Sequence, residues 1–306
     1  MRKYISEFGL NMCLGNKILL QQDYLDDASL ITFDPHIYII GRRPRISINP
    51  KSIRIVDNKV YIEYLKHIGE KTISIPTIGI NHFGTNNLTI KSDYPYTEYI
   101  ITDNDIQKSY RVKAALQLIN FGSKILDHLK LEILYIGQAY GTDGSRNAVD
   151  RIKNHSTLQG IYSELIKRTP DQEIWMVLCD FNEVMLASFD GITKTFETSK
   201  DEDDKHFNKI FENKISEQQE INFTEAALIK YFQPEYNKVF KDSFPNPAHS
   251  TYSECYDLDL NMVCVEINTE DLLLPLWTNK VKPSLLHFAQ FPLHSREDRK
   301  FMLDFT

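Results

Sequence analysis

Glutamate, arginine, histidine and tyrosine are residue types that hydrolysis of a phosphate ester can use, and this 306-residue chain carries several worth weighing. That chemistry needs a deprotonated water, charge stabilisation at phosphorus and help for the leaving oxygen. A divalent ion supplies much of the last two, and Mg²⁺ (or Mn²⁺) suits one carboxylate completed by waters. Glu225 is placed for that role. With Leu228, Ile229 and Phe232 it falls at i, i+3, i+4 and i+7 of a helix, so its carboxylate lies on the stripe facing the protein. A charge there must be answered by a metal ion or by a buried arginine or lysine, unless the residue sits exposed on the edge of the stripe. A second constellation lies in ILYIGQAYGTDGSRNAVDRIKNH, residues 133–155. A strand carries Tyr135 and Gly137, with Tyr135 expected on one face with Leu131, Ile133 and Gly137. A loop rich in Gly, Asp, Ser and Asn leads to Arg151 and His155, four apart at the start of a helix. Arg151 can fork two hydrogen bonds onto a phosphate, or pair with Asp150 or Glu164. His155 can orient or shuttle a proton, or simply end a helix. Gly137 lets the backbone pass close to a substrate, or turns the chain. Asn237 can bond a phosphate, hold the loop after Glu225, or cap a helix. The densest basic cluster is Gly41-Arg42-Arg43-Pro44-Arg45. It reads as a contact to a nucleic-acid backbone through Arg42, Arg43 and Arg45, or as an ordinary strand–turn surface.

These residues need elements to hold them. Residues 1–92 read as a β-rich module, with ITF, HIYIIG, RISI, SIRIV, KVYIEYL and KTISI punctuated by DP, RPR, NPK and DNK turns. Residues 93–242 alternate. TEYIIT, EILYIG and EIWMVLCDF read as strands, and IQKSYRVKAALQLINFGSKILDHL reads as a helix with Val112, Leu116, Ile119, Leu126 and Leu129 in phase. Residues 243–306 return to strand-like runs, DLDLNMVCVEI and DLLLPLW, expected to pack with the first module. The charge run Lys200–His206 reads as a solvated loop, with a carboxylate metal site as the sharper alternative. The fold class is α+β.

Composition bounds the rest. Hydrophobic residues make up 42%, enough for a sizeable core, and a net charge of −7 excludes a polybasic protein while leaving room for a local basic cleft. Four widely spaced cysteines form no Cys-x-x-Cys pair, which argues against a zinc site or disulfide framework and suits a reducing cytoplasm. No apolar run approaches a membrane span. The 16 tyrosines and 17 phenylalanines are too scattered for a single-strand stacking platform. There is no P-loop, no Gly-x-Ser-x-Gly and no His-Glu-x-x-His to offer a competing site.

Taken in order, Tyr135-Ile136-Gly137, Arg151-x-x-x-His155, Glu225 and Pro234-Glu-Tyr-Asn237 resemble the motifs of the GIY-YIG nuclease superfamily over roughly residues 95–240. In that family a first strand bearing a tyrosine normally joins the Tyr-Ile-Gly strand through a short hairpin. The resemblance implies a small central β-sheet with flanking helices, here with a β-rich flanking module, and a metal-dependent endonuclease acting on nucleic acid, DNA before RNA. Restriction, phage defence or a mobile element would each suit such an enzyme. It makes Tyr99, in TEYIITD, the counterpart of the first tyrosine and the base, with Tyr135 its positioning partner. Glu225 becomes the metal ligand. Where the family has Gly-Ile-Tyr, Thr97-Glu98-Tyr99 stands, and long insertions follow Tyr135 and the third strand. A Gly-Ile-Tyr at Gly160-Ile161-Tyr162 comes in the wrong order. A scaffold that has lost catalysis and binds nucleic acid or protein is the alternative. A homodimer or a regulatory partner would fit either.

Overall fold

Seven strands drawn from across the chain pair into one sheet. The computed structural model describes residues 1–27, 29–121, 125–139, 152 and 156–304. The sheet runs β13 (Leu276–Trp277), β10 (Leu131–Gln138), β2 (Ile37–Pro44), β11 (Gln172–Ser188), β1 (Glu7–Leu20), β12 (Met262–Asn268), β14 (Leu286–Pro292). Neighbours are antiparallel except β1 with β12 and β10 with β13. The architecture is mixed α+β, a large curled sheet with a few helices. Its strands come from all three sequence stretches, so the boundaries expected at 92 and 242 cut through one sheet.

Between β2 and β10 the chain makes a long excursion. β3 (Ile46–Ile48), β4 (Arg54–Val56), β5 (Lys59–Ile68) and β6 (Lys71–Ile80) form a second sheet, and β7 (Leu88–Lys91), β8 (Glu98–Asp103) and β9 (Lys108–Lys113) a third. The β4–β5 hairpin turns on Asp57 and Asn58, whose φ values of 49° and 61° match the mirror-image turn that suits the twist of paired strands.

Helices cover both faces of the large sheet. Two short ones, α1 (Ala114–Leu118) and α2 (Leu126–Leu129), precede β10. Next come α3 (Ser156–Arg168), α4 (Lys200–Glu212), α5 (Glu217–Phe232) and the single turn α6 (Glu254–Asp257). Leu158, Ile161 and Leu165 of α3 pack with Tyr38, Ile40, Met176 and Leu178 on one face. Phe223, Ala226, Ala227 and Phe232 of α5 join Ile37, Ile39, Ile133 and Ile136 in the larger core on the other. Among the described residues no helix is long and apolar enough to cross a membrane.

Two expectations fail here. The helix expected from Ile106 begins only at Ala114, because Lys108–Lys113 is β9, with Val112 paired to Tyr99. The spacing of Val112 fits both periods, and the available partner strand decides. Lys200–His206 is not a loop but the first two turns of α4. Ser199 and Glu202 form a reciprocal capping box, and three acidic residues sit where the helix dipole favours them. His206 is buried there, stacked on Tyr4 at 3.7 Å.

Buried charges lock residues near 1–7 to those near 300. Arg299 binds Glu7 through both Nε and Nη2 and Asp259 through Nη1 at 2.8 Å, and the Arg299 and Glu7 side chains are 2% and 0% exposed. Arg2 reaches Asp190 at 2.9 Å and the carbonyl of Met302 at 3.0 Å. Such a pair is weak evidence of net stability, but breaking it strands the partner charge in the core. Arg299→Ala is expected to lower unfolding free energy in urea by about 3–5 kcal/mol. A loss under about 1 kcal/mol would show that water or a neighbour answers Glu7.

Candidate active site

β2 lies between β10 and β11, and its register fixes the site. Tyr38 pairs with Gly137, Ile39 with Ile136 and Ile40 with Tyr135. A register shift between Ile133 and Tyr135 changes which way the side chains point. Leu131, Ile133 and Ile136 enter the α5-side core, whereas Leu134 and Tyr135 pack on the α3 side with Tyr38. Tyr135 therefore does not share a face with Leu131 and Ile133, as simple alternation predicts. The Tyr38 and Tyr135 rings stack with centroids 6.1 Å apart and planes 29° from parallel.

Gly137 permits this arrangement. A Cβ built there would meet the Tyr38 hydroxyl, with Tyr38 Cζ at 2.5 Å and Tyr135 Cε1 at 2.8 Å. Both are backed by ring atoms that cannot swing aside cheaply. Any side chain at 137 therefore evicts one tyrosine.

The segment after α5 closes the site from below. Gln233 ends the helix in the left-handed region at φ 53°, its N–H bonded to the carbonyl of Ile229. Tyr236 N–H then donates to Leu134 O at 3.0 Å. The Asn237 amide pairs with both backbone groups of Ile136: Ile136 N–H donates to Oδ1 at 2.9 Å, and Nδ2 donates to Ile136 O at 2.8 Å. Asn237 thus acts as a one-residue strand on the edge of β10. Its side chain is spent on the scaffold, which corrects its assignment as a substrate contact. The Tyr236 hydroxyl donates to Glu164 of α3 at 2.5 Å, and Glu164 also pairs with Arg168 at 2.6 Å.

Helix α5 meets the end of β10 through one side-chain bond. Gln138 Nε2 donates to Asn222 Oδ1 at 2.6 Å. Glu225 lies one turn along from Asn222 on the same side of α5, half-buried and engaged by neighbouring groups. His36, just before β2, approaches Glu217 at 3.3 Å. Arg151 and His155 lie outside the described residues.

Tyr99 is elsewhere. It sits on β8 in the three-stranded sheet, 1% exposed, its hydroxyl 3.2 Å from that of Tyr64. Burial pushes it up to about 12, so it stays protonated. The structure thus replaces Tyr99 with Tyr38 as the tyrosine beside Tyr135. Sequence reading puts Tyr38 on a clear strand, His36-Ile37-Tyr38, but gives it no partner. The whole excursion from Arg45 to Lys130 hid its partnership with Tyr135.

The basic cluster also divides. Arg42 bonds Glu132 at 2.7 Å. Arg43 is fully buried, its guanidinium 3.9 Å from the Trp175 ring, and desolvation lowers it to about 10. It cannot touch a nucleic-acid backbone. Arg45 contacts the carbonyl of Pro170 at 3.3 Å and His67 at 3.5 Å.

Among the described residues, no three His, Cys, Asp or Glu side chains gather to hold a metal ion. Compared with known proteins, the chain matches no family model, no curated protein and no solved structure.

Gly137→Ala is expected to cost about 1–3 kcal/mol by overpacking and to disturb the Tyr38 ring. Urea unfolding and tyrosine side-chain NMR would check it. An unchanged Tyr38 spectrum would disprove the close approach. A second expectation concerns Glu220 on α5. Burial first, then the hydrogen bond that protonated Glu220 donates to Glu183, with Glu217 and Glu254 nearby, push its carboxyl up to about 8. The folded state then holds a proton that an unfolded glutamate, with a pKa about 4.3, gives up. Stability from this group is lost as pH rises from about 4.3 to 8. Glu220→Gln should therefore melt above the native chain at pH 8, and its melting temperature should fall less from pH 5. Equal pH slopes would exclude the effect.

Proposed function

We propose that the chain is a metal-dependent endonuclease of GIY-YIG type, hydrolysing phosphodiester bonds in nucleic acid, with DNA the favoured substrate. One observation carries this reading: Ile37-Tyr38 runs antiparallel to Tyr135-Ile136-Gly137, and the two tyrosines stack beside the glycine. In this reading the β2–β10 pair stands for the family's short hairpin, with the excursion from β3 to α2 inserted in its loop. The third strand, β11, lies on the other edge of β2. The Pro-x-x-Asn segment clasps Ile136.

In this reading Tyr38 and Tyr135 position and activate the attacking water. Tyr38 takes the role first given to Tyr99. Arg151 supplies a guanidinium for the phosphate and His155 a proton path. Glu225 offers a hard oxygen donor, which fits Mg²⁺ or Mn²⁺ completed by waters and substrate oxygens and does not fit a zinc cage. A bound Mg²⁺ would neutralise charge at the phosphate and the leaving oxygen. The acidic body, at −7, predicts weak, salt-sensitive DNA binding unless the inserted sheets or a partner deliver the target. One such site cuts one strand, so a double-strand break would need a homodimer or two events.

The test is cleavage of supercoiled plasmid, and of a structured RNA, with Mg²⁺ or Mn²⁺. Glu225→Ala should abolish cutting. Tyr38→Phe should slow it roughly 100- to 10,000-fold, the usual worth of positioned proton transfer. Tyr99→Phe should leave it unchanged. The opposite tyrosine pattern would overturn the assignment of Tyr38. If the native chain and Glu225→Ala both bind DNA equally and neither cuts, the non-catalytic scaffold replaces the nuclease.

A further inference from the structure

Tyr99 is left without a role in cleavage, and its surroundings suggest another. It lines a cavity of about 560 Å³ between the β5–β6 ribbon and the β7–β9 sheet. That volume is typical of small-molecule sites. Ile62, Ile90, Val112, Phe83 and Phe121 give it apolar walls. Two edge-to-face ring contacts stiffen them, Phe83 with Tyr110 at 5.4 Å and Tyr64 with Phe121 at 6.1 Å. No lysine or arginine is among the described residues that line it. An anion would therefore enter without a counter-charge.

Two buried polar groups at the wall are already used by their own turns. Asn81 Oδ1 accepts from Phe83 N–H and its Nδ2 donates to Thr85 O at 2.6 Å. Asp103 Oδ1 accepts from the N–H groups of Asp105 and Ile106. His82, Gln117 and Tyr110 lie at the more exposed part of the lining, and the other buried polar groups are a hydroxyl pair. Tyr64 and Tyr99, 0% and 1% exposed, share one hydrogen bond of 3.2 Å. Two hydroxyls carry two protons. One proton lies between the oxygens, and the other has no acceptor among the described residues. A buried hydroxyl proton without an acceptor is costly, and here it borders a cavity large enough for a ligand.

We propose that this cavity binds a small uncharged aromatic molecule bearing one acceptor, a carbonyl or a ring nitrogen, which takes the spare proton of the Tyr64–Tyr99 pair. The inference does not depend on the nuclease reading, because no residue of the cavity belongs to the candidate active site.

Acetophenone and α-methylstyrene serve as probes. They share one skeleton and differ in a carbonyl against a methylene. Both are titrated into the full chain and followed by ligand-observed NMR. The native chain should bind acetophenone about three- to tenfold more tightly, the worth of one net hydrogen bond. The double variant Tyr64→Phe/Tyr99→Phe should keep α-methylstyrene binding and lose the preference. Leu88→Trp, which fills the cavity from β7, should lose both probes with its melting transition intact. Binding of neither probe to the native chain overturns the proposal, and so does a preference that survives in the double variant. If the double variant fails to melt cooperatively, Leu88→Trp decides: retained binding of both probes places them elsewhere and overturns the proposal.

Discussion

The placement of β2 between β10 and β11 is the constraint on which the rest depends. That strand is paired along both edges, so it cannot slip without breaking two ladders. Its register sets Tyr38 against Gly137. Gly137 then has no freedom of identity, because the Tyr38 ring occupies the space of its side chain. The register shift at Leu134 adds the other half, turning Tyr135 onto the same face. A one-residue slip would send Tyr38 into the opposite core.

The segment after α5 works as a buckle on this pairing. β13 covers β10 only at Leu131 and Glu132. Beyond them the edge would be open, and Tyr236 and Asn237 cover it instead. The same few residues reach α3 through Glu164. One short stretch thereby ties together the strand with Tyr135, the helix following the Arg151 segment and the helix with Glu225. These are the groups a phosphodiesterase would have to keep in fixed relation.

Sequence reading reached some of this and missed the rest for identifiable reasons. The burial of Leu228, Ile229 and Phe232 on α5 was legible from their spacing, while Glu225 beside them is only half-buried. The strands of β10 and β11 were legible as apolar runs. The link from Tyr38 to Tyr135 was not, because strand pairing is a relation between distant segments and no local pattern encodes it. Arg43 looked like surface charge within a basic run, yet alternation along β2 turns it inward onto Trp175 while Arg42 stays outward. The acidic start of α4 read as loop because charge was weighed and the cap formed by Ser199 and Glu202 was not. The register shift in β10 leaves no mark in composition at all.

The order of strands has a consequence for how the molecule is made. β1 ends at Leu20, but its neighbours β11 and β12 begin at Gln172 and Met262. At about 5–20 residues per second, a nascent β1 waits on the order of ten seconds for its first partner. β2 waits a little over half as long for β10, while the excursion sheets, built from near neighbours in sequence, can close at once. The inserted sheets therefore fold ahead of the frame that holds them. The frame closes late, and only then do the Tyr38 and Tyr135 rings meet.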